Sequence, residues 1–410
     1  MSCFYLFTQT HYGSRAVFGC LFHARSHLHP NAQKRVMSNT QAPLTDHPIN
    51  KMLPVETFML IFEEHAKVDW RAPSIDGRVC RLWRQIVLNT PQAWSYIEIG
   101  EECQPSIVDL RTWLRRSATA PLHIRIFNSK FDEHMKTGLN DLLCEYHTRI
   151  ASLRMRKGNL SLFEGRDFLS LQHLDIENWS GNRSLTGRWG LMPQLRSLRL
   201  SDTDMAVQPL DGGFSLERLV LFHTNCTLLP QHSQSLTTLM LSYISLEDIV
   251  LDPLLFPSLT YLSLHNVTGL KPHVDAPRLV TYLEGGTTLA ESIPTTLQST
   301  TEYGWYRRGT NTPDFSTWLP ALPNVSRLSV RAYSTIIVKL LAFLDSHLHV
   351  LPGLQMICVR AIESGPPERA ERRMLKSVQF RNGTCRTDIP LYFERAPPYR
   401  IPILLGHVSH

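Results

Sequence analysis

The chain has 410 residues, 43% hydrophobic and 19% charged, a balance that excludes a disordered polypeptide and a length that excludes one ordinary compact core unless that core is elongated and built from repeats. A formal net charge of +6, with a pI of about 8.9, permits an acidic partner without demanding nucleic acid. Eight scattered cysteines form no C-x-x-C pair and no zinc-ligand spacing, which argues against a disulfide framework and for free thiols in a reducing compartment.

In chain order, residues 1–45 hold no Asp or Glu but carry Arg15, Arg25, Lys34 and Arg35. A disordered tail is the reading taken over a mitochondrial presequence, for which no apolar arginine-bearing face emerges, and translation from Met37, which opens a plausible polar leader, stays open beside it. His23, His27 and His29 have metal-like spacing, but with no acid and no fixed scaffold around them no metal is expected.

The first helix signal opens at Leu53-Pro54, where proline suits the first helical position. Val55, Phe58, Met59 and Phe62 then fall on one apolar stripe, with Glu56 in the first turn, where it complements the helix dipole. Phe58 to Phe62 is a run of five apolar residues. One core face cannot absorb all five, so Leu60 or Ile61 is expected to be left for a partner. A break is expected at "WRAPSIDG". A second helix is predicted from about Arg78 to Asn89, striped by Val79, Leu82, Trp83 and Ile86 and stopped by Pro91. Trp83 is expected in the core, and Cys80 as a small buried filler rather than a reactive thiol.

"AWSYIEI" alternates as a strand, Ile107 to Ser117 reads as a helix with Leu110, Trp113 and Leu114 on one side, and Leu122, Ile124 and Ile126 form another strand. From residue 150 a motif L-x-x-L-x-L recurs. Its copies are Ile150-Leu153-Met155, Leu171-Leu174-Ile176, Leu195-Leu198-Leu200, Leu216-Leu219-Leu221, Leu236-Leu239-Leu241 and Leu259-Leu262-Leu264, with a degraded copy at Leu279-Tyr282. Val325-Leu328-Val330, Leu354-Ile357-Val359 and Leu375-Val378-Phe380 follow. Intervals of 20 to 24 residues, loosening to 46, 29 and 21, with prolines just before several copies, mark a leucine-rich solenoid whose leucines are buried only by stacking. The Asn expected after the last leucine is absent: Trp179, Thr203, Thr224, Ile244 and Val267 stand there. An irregular arc with a break near residues 285–320 is therefore expected. Thr335 to Leu344 carries Lys339 and reads as an amphipathic helix, and no apolar run reaches the ~18 residues of a membrane span.

"LPVETFMLIF" followed by "VCRLWRQIVLNTPQAW" resembles the F-box, on Leu53, Pro54, Glu56, Ile61, Phe62, Val79, Cys80, Arg81, Trp83, Arg84 and Trp94. With "WLRRS" and "PLHIRI" after it, the layout is similar to the large F-box family of mushroom-forming fungi, whose members also carry irregular leucine-rich repeats. The segment between Phe62 and Val79 departs from the pattern: its 16 residues lack the leucine-rich middle helix and offer only Ile75. The resemblance implies residues 47–97 as the F-box, 98–149 as a linker helix and strand that start the repeat domain, 150–385 as a leucine-rich-repeat-like domain, and 386–410 as an irregular tail. The expected fold is an α/β solenoid with a parallel sheet on its concave face. The implied role is the substrate-recognition subunit of a cullin–RING (SCF-type) ubiquitin ligase, with Leu53, Pro54, Phe58, Leu60, Ile61, Phe62 and Trp83 toward a Skp-type adaptor, in the cytoplasm or nucleus. A repeat scaffold without ligase recruitment is the alternative. A secreted leucine-rich protein, favoured only by seven N-x-S/T sequons, ranks below it.

Positions 3, 5 and 7 of each copy should line the open face. They hold eight arginines, no lysine, and only Asp175 and Glu177 as acids, with His173, Phe222, Tyr261 and His265 as ring-bearing groups. Arginine forks bind carboxylate or phosphate in pairs, so Arg154, Arg156, Arg199 and Arg218, with Tyr261, are expected to hold an acidic or phosphorylated target segment. No G-x-S-x-G, phosphate loop, H-E-x-x-H or useful pair of carboxylates is present, so neither catalysis nor a cofactor is expected, and nucleic acid and membrane are not expected partners.

Overall fold

A computed structural model describes residues 50, 52–100, 104–127, 131–156, 165–177, 190–202, 215–224, 233–245, 254–268, 274–286, 295–307, 314–347, 349–362 and 391–393. The chain divides into two compact units. One comprises residues up to Phe62 together with Arg71–Asn89, and the other Glu63–Trp70 together with the chain from Thr90 onward.

Three helices supply the first unit: α1 (Val55–Val68, the part up to Phe62), α2 (Ala72–Asp76) and α3 (Arg81–Leu88). The Pro54 carbonyl accepts the amides of Thr57 and Phe58 at 3.1 and 3.3 Å and so starts α1. Helix α2 occupies the segment expected to be a break. It is one turn and a half long, with Pro73 near its N-terminus, and it buries Ala72, Pro73 and Asp76 while Ile75 stays exposed. Its core side carries no leucine, which is why an apolar-stripe reading passes over it. Helix α3 begins three residues later than expected, because the Cys80 Sγ accepts the Trp83 amide at 3.4 Å and caps it. Cys80 is thus a half-buried cap rather than a core filler.

The second unit is one sheet with a few helices laid against it. Its strands are β1 (Tyr96–Ile99), β2 (Leu122–Ile126), β3 (Ile150–Arg156), β4 (His173–Glu177), β5 (Ser197–Ser201), β6 (Arg218–Phe222), β7 (Thr238–Ser245), β9 (Tyr261–Thr268), β11 (Thr281–Gly285), β12 (Glu302–Tyr306), β13 (Arg327–Ala332), β14 (Met356–Ala361) and β15 (Leu391–Phe393). These thirteen strands follow chain order and every neighbouring pair is parallel. Two-residue strands β8 (Leu254–Leu255) and β10 (Val274–Asp275) pair separately. Helices α4 (Ile107–Arg116) and α5 (Glu133–Tyr146) lie in sequence between β1 and β3, α6 (Phe315–Trp318) precedes β13, and α7 (Ser334–Ser346) follows it. Ser106 caps α4 by accepting the Asp109 amide at 3.1 Å, and Asp132 caps α5 by accepting that of Met135 at 2.7 Å.

The leucine motif writes this topology directly. In β4 and β5 the inner positions, Leu174, Ile176, Leu198 and Leu200, are almost wholly buried, and the residues between them face outward. Each such leucine contributes roughly 1.5–3 kcal/mol on burial. No copy can collect that energy unless the next strand stacks on it, so the core is continuous from Ile97 to Val359.

Two expectations about the sheet change. The break near 285–320 is filled by β12, which pairs with both β11 and β13 and carries a hidden copy, Thr300-Tyr303-Trp305. Strand β15 lies in the stretch expected to be an irregular tail and extends the sheet beyond β14. The copy at Leu375-Val378-Phe380 lies outside the described residues, as do the N-terminal histidines and basic residues. In place of an Asn ladder, Asp202, His223, Tyr243 and Asn266 all follow position 7 of their copies with φ of 52°, 47°, 55° and 50°, and Gly286 does so at 138°. This kink lets the amides of Asp202, His223 and Gly286 continue the ladder onto Phe222, Ser242 and Tyr306 at 2.8, 3.0 and 3.1 Å. The left-handed region is cheapest for Gly, Asn and Asp, and Tyr243 is the costly member.

Candidate interaction surfaces

In the first unit, Phe58 and Phe62 are 2% and 1% exposed, and their ring centroids lie 5.6 and 5.3 Å from that of Trp83. The Trp83 indole donates to Asn50 Oδ1 at 2.8 Å, and Arg84 Nε donates to the Gly77 carbonyl at 2.8 Å. Phe58 and Phe62, expected to meet a partner, are therefore core residues that hold the helix in place, because the stripe they share turns inward onto α3. Leu60 is 63% exposed, Pro54 and Val55 are exposed, and Leu53, Ile61 and Trp83 are half-buried. Met52 is also exposed, so Met52, Pro54, Val55 and Leu60 leave apolar side chains uncovered around the α1 entry.

In the second unit the open face of the sheet has three rows, set by strand register. The central row runs Arg125, Arg154, Asp175, Arg199, Val220, Met240, Ser263 and Leu283. Its first half is charged and its second half carries no charge.

The charged half is internally paired. Arg154 Nε lies 3.0 Å from Asp175 Oδ2, Arg199 Nε 3.6 Å from Asp175 Oδ1, and Arg156 Nε 2.9 Å from Glu177 Oε2. Arg154 and Arg156 also stack on Phe127 at 5.3 and 5.8 Å. Burial pushes the Asp175 carboxyl up, against the pull of Arg199 and Arg154. Arg218 and Tyr261 share the first row, two strands apart, with Thr238 between them. Burial raises the Tyr261 phenol, and the Arg218 charge opposes the rise. Three of the four arginines expected to hold a target thus already face a carboxylate of their own chain. Strand β12 adds Glu302 to this face, 3.6 Å from Arg327.

The third row carries groups the sequence placed only in part. Phe222 (β6), His265 (β9) and Tyr306 (β12) alternate with Ser242 and Gly285. The ring of Tyr243 fills the space between Phe222 and His265, with centroids at 5.3 and 5.0 Å, and His265 meets Tyr306 at 5.1 Å. Tyr243 sits on the even side of its strand's alternation and joins the row only through its left-handed turn. Tyr306 belongs to the hidden copy. Neither was legible from the motif.

Among the described residues, no cluster of three His, Cys, Asp or Glu is placed to hold a metal, and no helix is long and apolar enough to cross a membrane. No protein-family model, no curated protein and no solved structure matches this chain.

Proposed function

We propose that this chain is the substrate-recognition subunit of a cullin–RING ubiquitin ligase of the SCF type, with the helices around residue 55 as its F-box and the sheet domain, of leucine-rich-repeat type, holding the target. The observation that carries the reading is Leu60, exposed in the middle of a helix whose Phe58 and Phe62 are sealed inside. An apolar side chain held outward on a fixed helix, flanked by the Leu53-Pro54 turn, is the form of a helix-face docking site. The adaptor would meet Leu53, Pro54, Leu60 and Ile61, while Phe58, Phe62 and Trp83 would set their positions. Ubiquitin chemistry then belongs to other subunits, and the site needs no cofactor.

The test is capture of a purified Skp-type adaptor by the full chain, compared with the Leu53→Ala/Pro54→Ala double variant and with Leu60→Asp. Loss of at least tenfold in affinity with unchanged thermal unfolding supports the reading. A wild-type chain that ignores the adaptor, or variants that bind it as well, would overturn it and leave an interaction scaffold.

A further inference from the structure

The open face is not neutral. From β3 to β9 it carries four arginines, Arg154, Arg156, Arg199 and Arg218, against two carboxylates, Asp175 and Glu177, so with its histidines neutral two positive charges are in excess. The ion pairs locate the excess. Arg156 has Glu177 to itself, Arg154 and Arg199 divide Asp175, and Arg218 makes no ion pair or hydrogen bond among the described residues. Arg218 sits half-buried in the first row, with Ser197 on one side and Thr238 on the other, each one strand spacing, about 4.8 Å, away. Both neighbours are half-buried, and their hydroxyls too have no hydrogen-bond partner among the described residues. From β1 to β11 this row contains no acid, and Glu302, which follows on β12, faces Arg327.

What such a position can hold is restricted. A guanidinium fork between two hydroxyls offers donors from three directions and no competing negative group. A carboxylate has two oxygens, which the fork alone can fill. A phosphate monoester has three oxygens and a charge of about −1.5 to −2, which matches both the donor set and the excess of two positive charges. A polyanion needs positive charge repeated along its path, but Arg218 is the one arginine in the row from β1 to β12, which holds no lysine. Past Thr238 the row continues as Tyr261 and Thr281, both half-buried and polar. An extended chain across the strands therefore finds contacts that a lone phosphate ion would not use.

We propose that Arg218, between Ser197 and Thr238, receives one phosphorylated side chain of a partner protein, whose extended segment continues over Tyr261 and Thr281. Sequence alone pointed to four arginines acting together; the pairing of three of them leaves a single anchor. Calling the partner a ligase target rests on the function proposed above; the phosphate site itself does not.

The test presents the full chain with degenerate peptide libraries centred on phosphoserine, phosphothreonine or phosphotyrosine, beside matched libraries centred on serine and on glutamate, and then measures the best peptide on variants by fluorescence anisotropy. Retention of a phosphorylated library alone is expected. Binding should weaken about tenfold or more in Arg218→Gln and in Ser197→Ala/Thr238→Val, and stay unchanged in Arg327→Gln, which removes the same charge from β13. Arg218 has no partner among the described residues to lose, so thermal unfolding of Arg218→Gln should match the wild type, and the hydroxyl variant carries the test should it not. Retention of no library, equal retention of the glutamate library, equal binding to both site variants, or a loss as large in Arg327→Gln would each overturn the proposal. So would displacement of the peptide by an equal concentration of inorganic phosphate or of a thymidylate dodecamer. A phosphopeptide that binds while the adaptor does not would sink only the ligase reading, and an adaptor bound by a chain indifferent to phosphate would sink only this one.

Discussion

Arg154 Nε and Asp175 Oδ2 lie 3.0 Å apart across β3 and β4, and the same carboxylate faces Arg199 at 3.6 Å. One half-sequestered acid therefore serves two arginines, and burial still raises its carboxyl above the ordinary aspartate range. Desolvation outweighs the attraction.

That balance has a sign. A carboxyl whose folded pKa is raised binds protons more readily in the native state, so its contribution to stability is present below the unfolded value of ~3.9 and is lost as pH rises through the folded value. Asp175→Asn keeps an oxygen acceptor for both arginines and removes the charge. Its urea midpoint is expected to equal or exceed that of the wild type at pH 7, and the wild type should gain on the variant as pH falls toward about 4. A variant that loses several kcal/mol at neutral pH would show that ion pairing outweighs burial here.

Thr300 stands where the hidden copy should have a leucine. It is 0% exposed, and its hydroxyl has no hydrogen-bond partner among the described residues. A buried hydroxyl without a partner costs ~1–3 kcal/mol. Thr300→Val removes it at nearly constant shape, so the variant should unfold at higher urea, by about 1 kcal/mol or more. A lower midpoint would mean that the hydroxyl is satisfied in solution.

The same residue explains what was legible. Strands β3 to β7, β9, β13 and β14 were readable because each carries aliphatic residues at its inner positions. The copy before β12 was not, because Thr300, Tyr303 and Trp305 fill those positions and none is aliphatic. Next to it, the inner position of β11 after Tyr282 is Glu284, which accepts from the Tyr303 hydroxyl at 3.3 Å. Burial, then the Glu284 charge, holds both phenols well above their usual range. A polar network had replaced part of the leucine ladder, and a pattern built on leucines reads that as a gap. Helices α1 and α3 were legible as apolar stripes, but which of five adjacent apolar residues faces outward depends on where α3 packs. The ring strip was less legible still, because Tyr243 joins it only through a left-handed turn that no residue spacing announces.

Gly285 lies between His265 and Tyr306 in the third row. A Cβ there would sit 2.4 Å from His265 Cδ2 and 3.1 Å from Tyr306 Cδ1. The His265–Tyr306 stack therefore exists because β11 has no side chain at this point. Gly285→Ala should force the imidazole aside and cost ~1–3 kcal/mol, the usual range for overpacking. Thermal unfolding measures the cost, and the imidazole proton resonances of His265 should move with loss of their ring-current shift. An unchanged spectrum would show that the rings do not stack in solution.

The α1 entry offers a sharper contrast, because two residues of the same helix two positions apart should behave in opposite ways. Phe62 is packed against Phe58 and Trp83, so Phe62→Ala should cost ~3–5 kcal/mol. Leu60 gives up little water-exposed area on folding, so Leu60→Ala should change stability by no more than ~0.5 kcal/mol. Chemical denaturation of the two variants separates a side chain used by the fold from one held out of it. Should Leu60→Ala destabilise the isolated chain as much as Phe62→Ala does, the outer side of α1 would already be covered by its own polypeptide, and an adaptor would have no apolar side chain there to bind.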